Sequence, residues 1–156
     1  MMRKGVFMTR FLRSLYAKQQ GSTVLEIALV LPVLLLLLVG AVDFGRAYYL
    51  ALEVSSAAQA GAGYGAQNAT DTAGMVSAAK RDAADITVLA PVATYGCECS
   101  DGTSQVAGCG SAPSCAYNVV NYVQVNTSAV YTPILPYPGI GSSFTLRAVA
   151  RMRAAH

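Results

Sequence analysis

The sequence predicts an α+β protein: a long N-terminal transmembrane helix, then a short helix, then a small antiparallel β-sheet with a disulfide-bonded loop. Three observations carry this prediction. A basic stretch runs directly into a long apolar one near the N-terminus, β-branched and aromatic runs fill the C-terminal part, and all four cysteines fall between Cys97 and Cys115. The chain has 156 residues, of which 54% are hydrophobic and 12% charged, about half the charge of an ordinary soluble domain. That balance argues against a disordered chain. It also argues against a nucleic-acid partner, which wants a dense basic patch.

The charges divide the chain. Arg3, Lys4, Arg10, Arg13 and Lys18 stand in the first 21 residues without an acid. The remainder has six basic and eight acidic side chains, a net charge of −2, so the overall +3 comes from the first segment. The expected organisation is a cytoplasmic basic leader at 1–21, a long transmembrane and then amphipathic helix at 22–68, and an extracytoplasmic α+β lobe at 69–156.

The first helix follows from its apolar run. Residues 27–42 are 16 consecutive positions without a charge, and Leu34 to Leu38 are five leucines in a row. From Ser22 to Val42 there are 21 residues with one charge, Glu26. At ~1.5 Å per residue they span about 31 Å, the thickness of a bilayer core. Five adjacent leucines put apolar surface on every helix face, unlike a buried core helix. The run is also longer than the 7–15 apolar residues typical of a cleavable secretory signal. The positive charges before the run place the N-terminus in the cytoplasm. Glu26 is an acid in membrane-grade sequence and calls for a partner or a shallow position. Pro32 leaves the Ala28 carbonyl without its helical donor and predicts a kink or local melting.

Beyond the apolar run, Phe44, Tyr48, Leu52 and Ser55 keep helical steps, and Asp43 and Arg46 form an i,i+3 pair. Ala57, Gly61 and Gly65 are small residues four apart. They predict either a close-packed seam or a loose, fraying end, because each glycine weakens the helix. The helix is expected to stop near Gln67 or Asn68. A second helix, capped by Thr70 or Asp71, runs to about Asp85 with Met75, Ala79, Ala83 and Ile86 as its apolar stripe. Ile86 to Tyr95 is an edge or bulged strand because of Pro91. Tyr117 to Tyr131 is a second strand. Phe144, Leu146, Ala148, Ala150 and Met152 alternate with Thr145, Arg147, Val149, Arg151 and Arg153 in a half-buried third, with its arginines on the open face or toward an acidic partner. Pro133, Pro136, Pro138, Gly139 and Gly141 mark the loop between the last two.

Cys97, Cys99, Cys109 and Cys115 lack the spacing of a zinc site and have no His nearby. Export favours two disulfides over free thiols. Cys97–Cys99 would close a strained ring. Two arrangements stay open: Cys97–Cys115 with Cys99–Cys109, slightly preferred, or Cys97–Cys109 with Cys99–Cys115. The chain shows no catalytic constellation, no phosphate-binding loop and no dinucleotide fingerprint, so the expectation is a non-enzyme with no cofactor and no metal.

Gly21-Ser-Thr-Val-Leu-Glu26 before an apolar stretch resembles the processing site of type IV pilin-like proteins. The resemblance implies that a prepilin peptidase cuts after Gly21. Ser22 then becomes the new N-terminus and Glu26 the fifth residue, one helical turn away. The run Val24-Leu-Glu26-Ile-Ala-Leu-Val-Leu-Pro32, continued to Asp43-Phe-Gly-Arg46, is more specifically similar to the N-terminal signature of the TadE-like family of tight-adherence pilus systems. The chain end, Tyr131-Thr-Pro133-Ile-Leu-Pro136 with Phe144 to Arg153, reads similarly. Ile27 stands where tight-adherence pilins usually have Tyr, and Ser22 where type IV pilins have a bulky apolar residue. These departures favour a minor pilin or pseudopilin over a bulk filament subunit. The resemblance implies a single-pass inner-membrane protein that can enter an extracellular pilus. Its partners would be the membrane, prepilin peptidase, other pilin or pseudopilin subunits and the assembly machinery, and Glu26 the assembly carboxylate. The competing reading is an uncleaved single-pass membrane protein with an extracellular disulfide-bonded binding lobe.

Overall fold

The computed structural model describes the backbone of residues 5–137, 139 and 141–154, with side chains from Thr23 onward. In order, the elements are helix α1 (Gly5–Gln67), helix α2 (Thr72–Asp82), and strands β1 (Val92–Cys99), β2 (Gln105–Ala107), β3 (Val119–Tyr131) and β4 (Phe144–Arg153). This is the predicted α+β class. The chain divides into two units, Met1–Asp43 and Phe44–His156.

In the first unit α1 continues through Pro32 without interruption, so the local melting that a proline allows does not occur. The apolar side chains are outside: each position from Thr23 to Leu38 is exposed. A helix apolar on every face has no single side to bury in water, and only a lipid or protein surround satisfies it. The described part of α1 is long and apolar enough to cross a membrane.

In the second unit α1 ends at Gln67, as expected. Its buried face is Val54, Ala57, Ala58, Gly61, Ala62 and Gly65. The larger row Phe44, Tyr48 and Leu52 is exposed instead. The small residues win the core because they let other backbones come close. A Cβ on Gly61 would lie 2.9 Å from the Met75 carbonyl oxygen, 3.1 Å from Val125 Cγ1 and 3.3 Å from Ala79 Cβ. The Ala57–Gly61–Gly65 row is therefore a seam between α1, α2 and the sheet, not a fraying end.

Opposite signs are expected within this one turn. At Gly63 nothing lies within 4 Å of an added Cβ, so Gly63→Ala should stabilise by about 0.5–1 kcal/mol through helix propensity. Gly61→Ala gains the same propensity but meets backbone at 2.9 Å, and overpacking of roughly 1–3 kcal/mol outweighs it. Denaturant midpoints of the two full-length variants check this; equal shifts would contradict the seam.

Helix α2 begins where Asp71 caps it. Asp71 Oδ1 accepts the Gly74 backbone N–H at 2.8 Å and Oδ2 accepts the Tyr64 hydroxyl at 2.7 Å. The Gly74 N–H first, and the Tyr64 hydroxyl second, hold the Asp71 carboxyl below its usual range. A carboxylate depressed in the folded state stabilises above its unfolded pKa, and that contribution is lost as pH falls through the folded value. The advantage of wild type over Asp71→Asn should therefore be constant near neutrality and shrink below about pH 4. Urea midpoints of both proteins at pH 7, 5 and 3 test this; a gap that widens in acid would be the wrong sign. Of the expected stripe, Met75, Ala79 and Ala83 are buried, while Ile86 lies beyond the helix end and is half-buried. The helix itself stops at Asp82, and a turn follows in which Ile86 donates to Ala83 and Leu89 to Ile86.

The sheet is antiparallel throughout, in the order β2-β1-β3-β4. Strand β1 starts after Pro91 rather than at Ile86, since the residues before the proline are in that turn. Alternation places Val123, Val125, Thr127 and Ala129 of β3 on the helix side, joined by Ala150 of β4. The buried Thr127 hydroxyl donates to the Val54 carbonyl of α1 at 2.6 Å.

Candidate functional site

The first candidate is the start of the apolar helix. Gly21 and Ser22 lie within the helical backbone of α1, and Ser22 precedes Glu26 by one turn. Glu26 is exposed and shares a shallow groove with Ile27, Val30, Leu31 and Leu34. These residues recur at helical spacing, so one helix face presents a single carboxylate at the head of an apolar track. In an apolar surround such a charge costs roughly 2.5–3.5 kcal/mol unless a cation meets it.

The second feature is the cysteine lobe. Cys97 pairs with Cys109, and Cys99 with Cys115. This corrects the slight preference for the nested arrangement. Strand register supplies the reason. Strand β2 runs antiparallel to β1 with Cys97 opposite Val106, so the chain leaving β2 passes Cys97 first. There Cys109 turns it back with φ at 50°. It then returns to β3, where Val119 faces Cys99, and Cys115 arrives beside Cys99. Within the β1–β2 turn Asp101 Oδ1 accepts from the Thr103 N–H at 3.1 Å and from its hydroxyl at 2.8 Å. These bonds, the backbone one foremost, lower the Asp101 carboxyl below its ordinary value.

The third feature is the open face of the sheet. Glu98 of β1 pairs with Arg151 and, at 3.4 Å, with Arg153 Nε, both on β4. The Arg153 Nη2 also donates to the Ser100 carbonyl at 2.7 Å. The Arg151 guanidinium stacks 3.9 Å from the Tyr122 ring centre. Gly96 sits opposite Tyr122 in the register, and a Cβ there would come 2.7 Å from the Tyr122 hydroxyl, so glycine makes room for the ring. Two of the three arginines predicted to face solvent or a partner are thus engaged within the sheet. Glu98 and Tyr122 carried no signal in the linear sequence. Alternation does put Glu98 on the face opposite Cys97 and Cys99, but only the strand order brings it to the arginines.

Among the described residues no group of three or more His, Cys, Asp or Glu side chains is placed to hold a metal ion. The sequence profile of the TadE-like protein family matches residues 21–63. That interval begins at Gly21, contains Glu26 and Pro32, and ends within the buried face of α1. Neither the comparison with curated proteins nor that with solved structures returned a match.

Proposed function

We propose that this chain is a pseudopilin or minor pilin of a tight-adherence-type pilus system, cleaved by prepilin peptidase after Gly21. The observation that carries the reading is the TadE-like match over residues 21–63, which falls on an exposed apolar helix headed by Glu26. Under this reading the basic residues of 1–21 hold the leader in the cytoplasm and the lobe lies outside the inner membrane. Cleavage creates an ammonium at Ser22, one turn from the Glu26 carboxylate. In the assembled state the carboxylate meets that ammonium or the one on a neighbouring subunit. The exposed apolar track exchanges lipid contacts for helix contacts, and Pro32 is the place where the helix can bend to suit its neighbours. Its partners are the peptidase, other pilin-like subunits and the assembly machinery, and its role is structural rather than enzymatic.

Intact-mass and N-terminal analysis of the membrane-purified protein tests the proposal. In cells with active prepilin peptidase the chain should begin at Ser22; without the peptidase, or with Gly21→Leu, it should retain Met1. A protein that keeps Met1 in the presence of the peptidase would overturn processing and favour an uncleaved single-pass membrane protein. A soluble product starting after the leucine run would overturn both.

A further inference from the structure

The sheet ends on β4, and its outer side pairs with nothing among the described residues. At the other edge, β2 is three residues long, whereas β4 has ten. A short edge protects itself, and a long one is a template for another strand. The backbone direction is set by one bond: the Ala154 N–H donates to the Asn121 carbonyl of β3 at 2.9 Å. In an antiparallel ladder the inward-pointing residues alternate. The even-numbered residues of β4 therefore face β3, and Thr145, Arg147, Val149, Arg151 and Arg153 turn their N–H and C=O groups outward.

Charged side chains usually guard such an edge by leaning over it. Here two of three lean the other way. Arg151 and Arg153 reach inward across β3 to Glu98, whose side chain is 12% exposed. Arg147 is exposed and has no hydrogen-bond or ion-pair partner among the described residues. The edge is long, backbone-competent and positively charged, with Val149 exposed between Arg147 and Arg151. A second copy fits it poorly: an antiparallel self-pair centred on Val149 sets Arg147 beside Arg151, and like charges directly opposite are unfavourable.

We propose that the outer edge of β4 receives an extended acidic segment of a partner protein as a fifth strand. Main-chain hydrogen bonds supply the affinity and side chains the selection. Because Arg147, Val149 and Arg151 share one face, the segment that fits reads acidic–x–apolar–x–acidic, with one carboxylate against Arg147. This surface does not depend on leader cleavage or pilus membership.

The test uses the full chain in detergent micelles and two labelled synthetic peptides, TETVTET and TKTVTKT. The acidic peptide should bind at least about tenfold more tightly than the basic one. It should also slow exchange of the Thr145, Arg147, Val149 and Arg151 amides while leaving the inward-facing amides of β4 unchanged. Arg147→Glu should reverse the peptide preference. Val149→Pro removes one outward N–H without touching the β3 ladder, which an edge strand tolerates, and should reduce acidic-peptide binding by about tenfold or more. Persistence of the inward-facing amide protection shows that this variant remains folded. Equal binding of both peptides, unchanged binding by Val149→Pro, no protection of the outward amides, or protection that grows with protein concentration alone would each overturn the proposal. The last result would make a second copy the occupant.

Discussion

On the proposed function, Glu26→Ala should yield a protein that inserts and is cleaved normally but is lost from filaments, with incorporation down on the order of tenfold or more. The direction follows from the placement of one charge. Glu26 is exposed on a helix whose neighbouring side chains are apolar. In lipid near the headgroups the carboxylate can stay hydrated; in a packed array of apolar helices it cannot. It then needs a cation, and the Ser22 ammonium, one turn away on the proposed mature chain, is the nearest candidate. Alanine removes the carboxylate and leaves the ammonium unmatched in the same surround. Insertion does not suffer, because the apolar run is made more apolar. The measurement is the ratio of filament-associated to membrane-retained protein, with intact mass reporting cleavage. Glu26→Asp, which keeps the charge on a shorter arm, should recover part of the incorporation. Normal incorporation of Glu26→Ala would remove the pairing argument and leave the helix as a membrane anchor only. A cleavage defect in Glu26→Ala would instead move the role of Glu26 to the peptidase step.

Replacing Cys99 and Cys115 together by serine should lower stability by about 3 kcal/mol, a thermal shift on the order of 10–20 °C. The bridge closes a separation of 16 residues. Releasing that loop restores chain entropy to the unfolded state. A second contribution comes from Cys99, which is fully buried, so a serine hydroxyl there loses water without a designed partner. The Cys97–Cys109 bridge closes a separation of 12 residues, and its removal should cost slightly less on loop length alone. Thermal melts of the full chain in detergent give the shifts. Mass mapping of a non-reducing digest should recover the Cys97–Cys109 and Cys99–Cys115 pairs. Recovery of Cys97–Cys115 with Cys99–Cys109 would contradict the register account, as would a double-serine variant as stable as wild type.

Periodicity alone determines much of this protein. The apolar run from Ile27 to Val42, a helix start at Thr70 or Asp71, the Met75–Ala79–Ala83–Ile86 stripe and the alternation along β4 each depend on residues close in the chain, so local spacing suffices to read them, while the structure selects Asp71 as the cap. The same holds for the charge contrast at residue 21 and for the Gly21–Glu26 signature. Choices between spatially competing neighbours were not legible. Phe44, Tyr48 and Leu52 have helical spacing and greater apolar bulk, yet the core took Ala57, Ala58, Gly61 and Ala62, because α2 and β3 approach α1 too closely for large side chains. Four cysteines within nineteen residues allowed two crossings of the loop, and the β1–β2 and β1–β3 registers selected one. The arginines of β4 were readable as a row on one face. Their engagement with Glu98 depends on β3 lying between β1 and β4, an order that no local pattern encodes. Sequence thus determined the two helices, the strands β1, β3 and β4 in outline and the apolar span, since those are short-range properties, but not the turn before Pro91 or the short strand β2, which exists only by pairing with β1. Tertiary structure decided which surfaces meet, since that depends on strand order and on how near two backbones can come.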